Sequence, residues 1–206
     1  SPEGPFAFVR EMLPPFSIDA HAVSTDSGLY LFYSVNDYEA ERAGTLIVAD
    51  RLTDPCHVEG APAVIVRPTI DEEIFQRDRF RKGQHWHTIE GAFYFREGDW
   101  HYVMYSGSAY TNETYFIGYS TAQGEGDLRR LAWRKHPDDH TYSPLVCRNA
   151  FVEGTGHNSV VREGEAYYVV YHGRDRDADR SQGDVRVMRA DRMTVQGPEL
   201  HVEVTR

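Results

Sequence analysis

The sequence predicts an all-β protein that forms part of a β-propeller, with about three four-stranded blades. The first observation is a threefold repeat, in which a glycine-led turn feeds a short aromatic and β-branched run that ends near Tyr33, Tyr105 and Tyr171. The second is the regular spacing of these tyrosines, with a period of about 70 residues, which is typical of repeated β-sheet blades. The third is that no long segment has the 3.6-residue periodicity of an amphipathic helix.

Each repeat holds enough short apolar runs for three or four antiparallel strands. The runs after the glycine turns cover 28–34, 98–106 and 164–172, and they read as strands that follow hairpin turns. A strand-like stretch precedes each turn, at 18–23, 91–95 and 158–161, and another follows, at 45–48, 115–119 and 185–188. We therefore expect one partial propeller domain over 1–206, with blades at about 17–70, 85–140 and 150–200.

Two polar segments are predicted to be loops. Residues 70–84 could hold a helical turn and are expected to connect two blades. Residues 174–184 are highly charged, and their alternating aspartates resemble a calcium-binding loop. However, Arg180 stands where the sharp turn of such a loop needs glycine, and no glutamate closes it, so a solvated loop is predicted.

Composition excludes several classes of function. The chain has 206 residues, with 22 Lys and Arg against 32 Asp and Glu, for a net charge of -10. This excess argues against nucleic acid and against an anionic membrane surface as partners. No apolar run approaches the length of about 18 residues that a membrane-spanning helix needs. The composition fits a soluble protein, either secreted or cytoplasmic.

Polar residues occur at a nearly common distance before the repeated tyrosines. Asp19 and His157 precede the tyrosines of their repeats by the same number of positions, and Glu90 stands one position further from its own. The innermost strand of each propeller blade lines the central channel, so equivalent positions would meet around one axis. A carboxylate among apolar neighbours is costly unless it is paired or used. The pattern therefore predicts a site on the axis formed by these three side chains.

The residues around these positions resemble the motifs of glycoside hydrolase family 43. The similar strings are SIDAH at 17–21, WHTIEG at 86–91 and GTGHNSVV at 154–161, the last followed by YHG at 171–173. The resemblance extends from near Ser1 to about Met193. It implies a five-bladed β-propeller that hydrolyses arabinose- or xylose-containing polysaccharides or oligosaccharides with inversion.

The resemblance also implies roles for individual residues. Glu90 would be the general acid, and Asp19 the carboxylate that orients this acid and modulates its pKa. His157 would lie on the axis and hold a water molecule or a cation such as calcium, although no cofactor is expected to be required. These roles are physically consistent, because an acid that is protonated near neutral pH needs a pKa raised by burial or by a like charge.

An inverting glycosidase also needs a second carboxylate to activate water. In the family this base lies near the start of the first blade, whereas upstream of Asp19 the only acidic residues are Glu3 and Glu11, neither in a comparable strand context. We therefore expect the base from an N-terminal segment missing from this sequence or from a neighbouring subunit.

Four further residues are predicted to contact substrate. Trp86 is a sugar-stacking candidate. His87 is predicted to line the cleft with it, in preference to a zinc pair with His85, because no suitable third ligand follows nearby. His21 belongs to the first motif, and Arg174 follows the third. For Arg174, a loop arginine on a charged surface is an equally open interpretation.

The expected partners are a pentose-containing carbohydrate and further propeller blades. Three blades leave two open sheet edges, so a homo-oligomer or a missing N-terminal segment is expected to complete the ring. The alternative function is a fragment that only binds sugar or self-assembles, without turnover. A third interpretation, an unrelated β-sandwich, explains neither the common spacing nor the order of the motifs.

Overall fold

The computed structural model describes residues 2–181 and 183–205, and it is almost entirely β-structure. The strands found in these residues are β1 (Ser17–Thr25), β2 (Gly28–Asp37), β3 (Gly44–Asp54), β4 (His57–Val58), β5 (Ala63–Val66), β6 (Ile74–Gln76), β7 (Trp86–Glu97), β8 (Trp100–Gly107), β9 (Phe116–Gln123), β10 (Arg134–Lys135), β11 (Val152–Glu163), β12 (Ala166–Asp175), β13 (Val187–Gln196) and β14 (Glu199–Val202). Two single 3-10 turns, Asp71–Glu73 and Leu128–Arg130, complete the regular structure. None of the described helical segments is long and apolar enough to cross a membrane.

The strands form three antiparallel meanders, which confirms the predicted propeller blades. The first blade is β1-β2-β3, with the short strands β4 and β5 paired to β3. The second is β7-β8-β9-β10 and the third is β11-β12-β13-β14. The predicted strands are all present, but the inner strands β1, β7 and β11 start earlier than the sequence pattern indicates. β-bulges in these strands interrupt the alternation of apolar and polar residues, so the sequence pattern does not indicate where the strands begin.

The two predicted loops are partly ordered as β-structure. Segment 70–84 contains the 3-10 turn Asp71–Glu73 and then β6, which pairs briefly with β7. Arg174 and Asp175 belong to the end of β12, so the charged loop begins after them. The strand expected at 185–188 starts at Val187.

A close backbone contact joins the first blade to the second. Strands β3 and β7 run parallel where Gly44 pairs with His87 and Thr45 with Thr88. A Cβ atom on Gly44 would lie 2.2 Å from the His87 carbonyl oxygen, so the approach requires glycine. The two blades are thereby connected into one ten-stranded sheet.

A buried ion pair fastens the segment that connects these two blades to the second blade. Lys135 in β10 and Glu73 in the 3-10 turn are both buried, with Nζ 2.5 Å from Oε1. Lys135 Nζ also donates to Thr69 Oγ1 at 2.8 Å. The other carboxylate oxygen accepts from the backbone N–H groups of Thr69 and Ile70. The pair is thus hydrogen-bonded on both sides, as a buried charge pair must be.

Apolar faces of neighbouring blades pack against each other. Ile47 from the first blade meets Ile89 and Val103 from the second in one core cluster. Met104 and Ile117 from the second blade meet residues of the third in another cluster. The core therefore lies between the sheets and fixes how the inner strands approach one another.

Candidate active site

Each inner strand carries a β-bulge opposite the tyrosine that defines the repeat. In the first blade, Ile18 pairs with Ser34 and His21 with Phe32, so Asp19 and the residue after it oppose a single residue, Tyr33. Such a bulge re-aims the side chains of its strand, which is why bulges are common beside functional sites.

The same bulge recurs in the other two blades. In β7, Gly91 and Ala92 oppose Tyr105, and in β11 His157 and the next residue oppose Tyr171. The first residue of every bulge has left-handed backbone: φ is 57° at Asp19, 66° at Gly91 and 52° at His157. This region is open to glycine and unfavourable for other residues, although Asp and His enter it more readily than most.

The register corrects one detail of the sequence interpretation. Gly91, and not Glu90, occupies the position equivalent to Asp19 and His157. Glu90 pairs with Ser106 one position before the bulge. This offset is the physical reason why Glu90 stands one position further from its tyrosine than the other two residues stand from theirs.

Asp19 and Glu90 nevertheless come together. The Asp19 Oδ2 atom accepts a hydrogen bond from the Gly91 N–H at 3.2 Å, which ties the first blade to the residue after Glu90. Glu90 is partly buried, and its Oε1 accepts from the Tyr115 hydroxyl at 2.7 Å. Burial raises the pKa of Glu90 above its usual value; the Tyr115 hydrogen bond lowers it, the Asp19 charge raises it and His157 lowers it. The net effect favours the protonated acid.

His157 completes the group from the third blade. Its backbone N–H donates to Ser106 Oγ at 2.7 Å. Its imidazole packs over Gly91, where an added Cβ atom would lie 3.4 Å from the ring. The three side chains predicted to meet on the axis are therefore neighbours.

The residues around His157 do not form a metal site by themselves. Across 2–181 and 183–205, no group of three or more His, Cys, Asp or Glu side chains is arranged to hold a metal ion. Asp19, the carboxylate in the equivalent bulge of the first blade, is engaged with the Gly91 N–H. The cation expected at His157 stays a prediction, and no chemical step is derived through it.

Trp86 lies beneath other aromatic rings. It is only 5% exposed, and the rings of Tyr38 and Phe80 cover it at centroid distances of 4.9 and 5.9 Å. The guanidinium of Arg79 lies 5.2 Å from the indole. Tyr38 and Phe80 are 59% and 54% exposed, so they present the aromatic surface that the sequence assigned to Trp86.

His87 is buried at the contact between the first two blades. Its Nδ1–H donates to the Ala43 carbonyl oxygen at 3.2 Å, and Arg42 Nη1 donates to its Nε2 at 3.1 Å. Burial lowers the pKa of His87. The structure thus gives this residue a packing role, and its predicted contact with substrate stays a prediction.

His21 also bridges the first two blades. Its Nε2–H donates to the Tyr94 carbonyl oxygen at 3.3 Å, and its ring packs on Phe93 at a centroid distance of 4.4 Å. Burial lowers its pKa, so the neutral form is favoured. Its predicted role in binding substrate stays a prediction.

Arg174 is a buried strand residue, which decides against the surface-loop interpretation. It is 2% exposed, and Asp184 holds it through two hydrogen bonds, one of them 2.8 Å from Nη2 to Oδ2. Nη2 also donates to the Tyr110 carbonyl oxygen at 2.5 Å. Nη1 is buried and has no hydrogen-bond partner among the described residues. A Cβ on Gly154 would lie 2.0 Å from this nitrogen.

Sequence reasoning missed Tyr115 and Ser106. Tyr115 precedes β9 directly, in a stretch that was predicted only as a strand. Its contact with Glu90 reaches from the residue before β9 to β7, past the intervening strand β8, and leaves no local pattern. Ser106 lies opposite Glu90 only because the bulge shifts the register by one residue; an uninterrupted hairpin would place it opposite Gly91.

A protein family and several solved structures resemble this chain. The sequence model described as Glycosyl hydrolases family 43 matches residues 1–197. No curated protein matches the chain. Among solved structures, it is similar to an α-L-arabinofuranosidase from Lactobacillus brevis, with a TM-score of 0.72 and 23% identity over 91% of this chain and 56% of that one.

Two further structures are similar over the whole chain. An endo-1,4-β-xylanase from Bacteroides thetaiotaomicron VPI-5482 gives a TM-score of 0.76 at 20% identity and 65% coverage of its own length. A thermostable family-43 glycoside hydrolase gives 0.72 at 25% identity and 64% coverage. The chain thus spans 56% to 65% of the length of the three structures. Three blades with a recurrent bulge, and a family match over almost all residues, make this chain a member of glycosyl hydrolases family 43.

Proposed function

We propose that this chain supplies the acid side of an inverting glycosidase site for arabinose- or xylose-containing saccharides. The observation that carries the proposal is Glu90: a partly buried carboxyl group, raised in pKa by burial and by Asp19, on the inner strand of a propeller blade. A glycosidase acid must keep its proton near the working pH, and these two influences have that effect.

In the proposed reaction, Glu90 transfers its proton to the glycosidic oxygen as the bond from that oxygen to the anomeric carbon breaks. Water attacks the anomeric carbon from the opposite face, and its proton passes to a general base. Asp19 acts on the acid and not on the water. Its carboxylate is held by the N–H of Gly91, next to Glu90, and its charge disfavours ionisation of the acid.

We assign the general base to a carboxylate outside this sequence. In an inverting site the base stands roughly 6.5–9.5 Å from the acid, with water between the two. Asp19 is instead bonded to the residue that adjoins the acid. Glu3 and Glu11 precede β1 and belong to no strand. A further segment of chain or a second subunit is the proposed source.

The proposed substrate class is supported by the names of similar proteins and by one feature of the surface near Trp86. One similar structure is an arabinofuranosidase and another a xylanase. Tyr38 and Phe80 offer exposed rings on which a pyranose or furanose face can stack. Arg174 Nη1 is buried against Gly154, so this arginine is not assigned to the substrate.

An external nucleophile tests the acid without needing the base. The purified chain is incubated with arabino- or xylo-oligosaccharides and sodium azide, and glycosyl azide is measured. We expect azide-dependent product from the wild type and none from Glu90→Gln. The matched control is Glu97→Gln, which alters a carboxylate at the far end of the same strand. Equal product from wild type and Glu90→Gln would refute the assignment.

The exposed aromatic pair also supports the alternative of sugar binding without turnover. Calorimetric titration with the same oligosaccharides distinguishes the two functions. Binding that is lost in a Tyr38→Ala, Phe80→Ala double variant, with no glycosyl azide formed by any variant, would favour the binding function.

A further inference from the structure

A directed set of hydrogen bonds runs from the third blade to Glu90. The His157 N–H donates to Ser106 Oγ at 2.7 Å, so the Ser106 hydroxyl proton remains available to another acceptor. Burial, then the charge of Glu90, raises the pKa of Tyr115; Ser106 interacts with the Tyr115 hydroxyl and opposes this rise, as a donor to the phenol oxygen does. The Tyr115 hydroxyl in turn donates to Glu90 Oε1 at 2.7 Å.

Packing leaves the Tyr115 ring little freedom. Tyr115 is 1% exposed, and a Cβ atom on Gly156 would lie 2.0 Å from its Cε1. On the β12 side the ring stacks with His172 at 5.7 Å and an interplanar angle of 14°. Thr155 Oγ1 donates to the Tyr115 backbone carbonyl at 3.3 Å. The hydroxyl is therefore held in one place by contacts with the third blade.

We propose that Tyr115 is a positioning residue of the acid: it fixes the Glu90 carboxyl group by donating to Oε1 and leaves Oε2 as the oxygen that carries the proton. The inference rests on the proposed role of Glu90 as acid. Because Tyr115 donates to Oε1, that oxygen acts as the acceptor, and the acidic proton is left to the other oxygen. Ser106 strengthens the bond by polarising the phenol.

Opposing influences on one carboxyl group then set its acidity. Burial and the Asp19 charge on β1 raise the pKa of Glu90, whereas Tyr115 and His157 on β11 lower it. His172 faces the other side of the Tyr115 ring; burial, then Arg186, lower its pKa to about 4, so it is uncharged at neutral pH. Without Tyr115, the acid would bind its proton more tightly and would be free to turn.

The test measures the Glu90 carboxyl group directly in the full chain. Carboxyl ¹³C NMR titration follows Glu90, with its signal assigned by its absence in Glu90→Gln. We expect Tyr115→Phe, which keeps the ring, to lower the acid dissociation constant of Glu90 about tenfold, the usual effect of one lost hydrogen bond to a charged group. Ser106→Ala should produce a smaller change in the same direction.

Tyr167→Phe is the matched control, since Tyr167 also donates to a carboxylate, Glu97 Oε2, at 2.5 Å. It should leave the Glu90 titration unchanged. An unaltered dissociation constant in Tyr115→Phe, or an equal change in the control, would overturn the proposal. If Tyr115→Phe does not fold, Ser106→Ala decides alone, and an unchanged titration there counts against the proposal. The titration needs no turnover, so its failure is distinct from a failure of the proposed hydrolysis.

Discussion

Two substitutions at Asp19 separate its structural role from its electrostatic role. Asp19→Asn removes the charge but keeps a side-chain oxygen that can accept from the Gly91 N–H. Asparagine also enters the left-handed region readily, as the φ of 57° requires. Asp19→Ala removes the charge and the acceptor, and it places an alanine in the same unfavourable backbone conformation.

The free energies of unfolding of the two variants should therefore differ. The left-handed backbone costs alanine about 1 kcal/mol, and the lost hydrogen bond costs about 1 kcal/mol. We expect Asp19→Ala to be less stable than Asp19→Asn by about 2 kcal/mol. The charge cancels in this difference, because both variants lack it.

The acidity of Glu90 should change equally in both variants. Asp19 raises the pKa of Glu90 through its charge, so both substitutions should lower the pKa of Glu90 by a similar amount. Urea unfolding measures the free energy of unfolding of each variant, and carboxyl NMR titration measures the pKa of Glu90. Equal stability of the two variants would refute the backbone argument, and a Glu90 pKa that stays the same or rises would refute the electrostatic one.

Three further predictions concern pH dependence and the contacts between blades. Because burial raises the pKa of Glu90 above its ordinary 4.5, the protonated form adds stability that is complete below that value and is lost as the pH rises through the folded-state pKa. In Glu90→Gln this fall of the unfolding free energy with rising pH, measured by urea unfolding, should disappear. The same pH dependence in the wild type and in Glu90→Gln would contradict the argument. Gly44→Ala places a methyl 2.2 Å from a backbone carbonyl oxygen and should lower the free energy of unfolding by more than about 3 kcal/mol. The control Gly83→Ala, with nothing within 4 Å, should lower it by about 1 kcal/mol because of its positive φ. Similar decreases of the melting temperature in the two variants would speak against the steric reasoning. Lys135→Met leaves the Glu73 carboxylate buried and unpaired and should cost about 3–5 kcal/mol. Lys135→Met with Glu73→Gln should recover part of this loss, because glutamine is uncharged and keeps an oxygen for the Thr69 and Ile70 N–H groups; an equally unstable double variant would disprove this.

The propeller could be predicted from sequence because its signals are local and repeated. A glycine turn, an aromatic run and a tyrosine at the end of the run recur in each blade, so each repeat supports the interpretation of the other two. The convergence of Asp19 and His157 could also be predicted, since equivalent positions in a propeller meet at the axis, and Glu90 adjoins the third such position, Gly91. Even the offset of Glu90 was present in the sequence, as the one extra position before its tyrosine.

The surroundings of the side chains could not be predicted in the same way. Trp86 looks like an exposed stacking residue until Tyr38, which follows β2 of the first blade, is seen to cover it. Arg174 looks like a loop residue until Asp184 and the Tyr110 carbonyl are seen to enclose it. Burial at these positions depends on loops from other parts of the chain, and such contacts leave no period in the sequence.

The repeated bulge has a consequence for how this axis could change over evolution. The backbone has the same form in all three blades, but it carries an acid at Asp19, no side chain at Gly91 and an imidazole at His157. The sheet pairing on either side of the bulge is alike whichever of these residues is present. A substitution there can therefore exchange one chemical group for another without rebuilding a blade. At Gly91 a Cβ atom would lie in ordinary contact with the His157 imidazole, 3.4 Å away, so this position is restricted mainly by its φ of 66°.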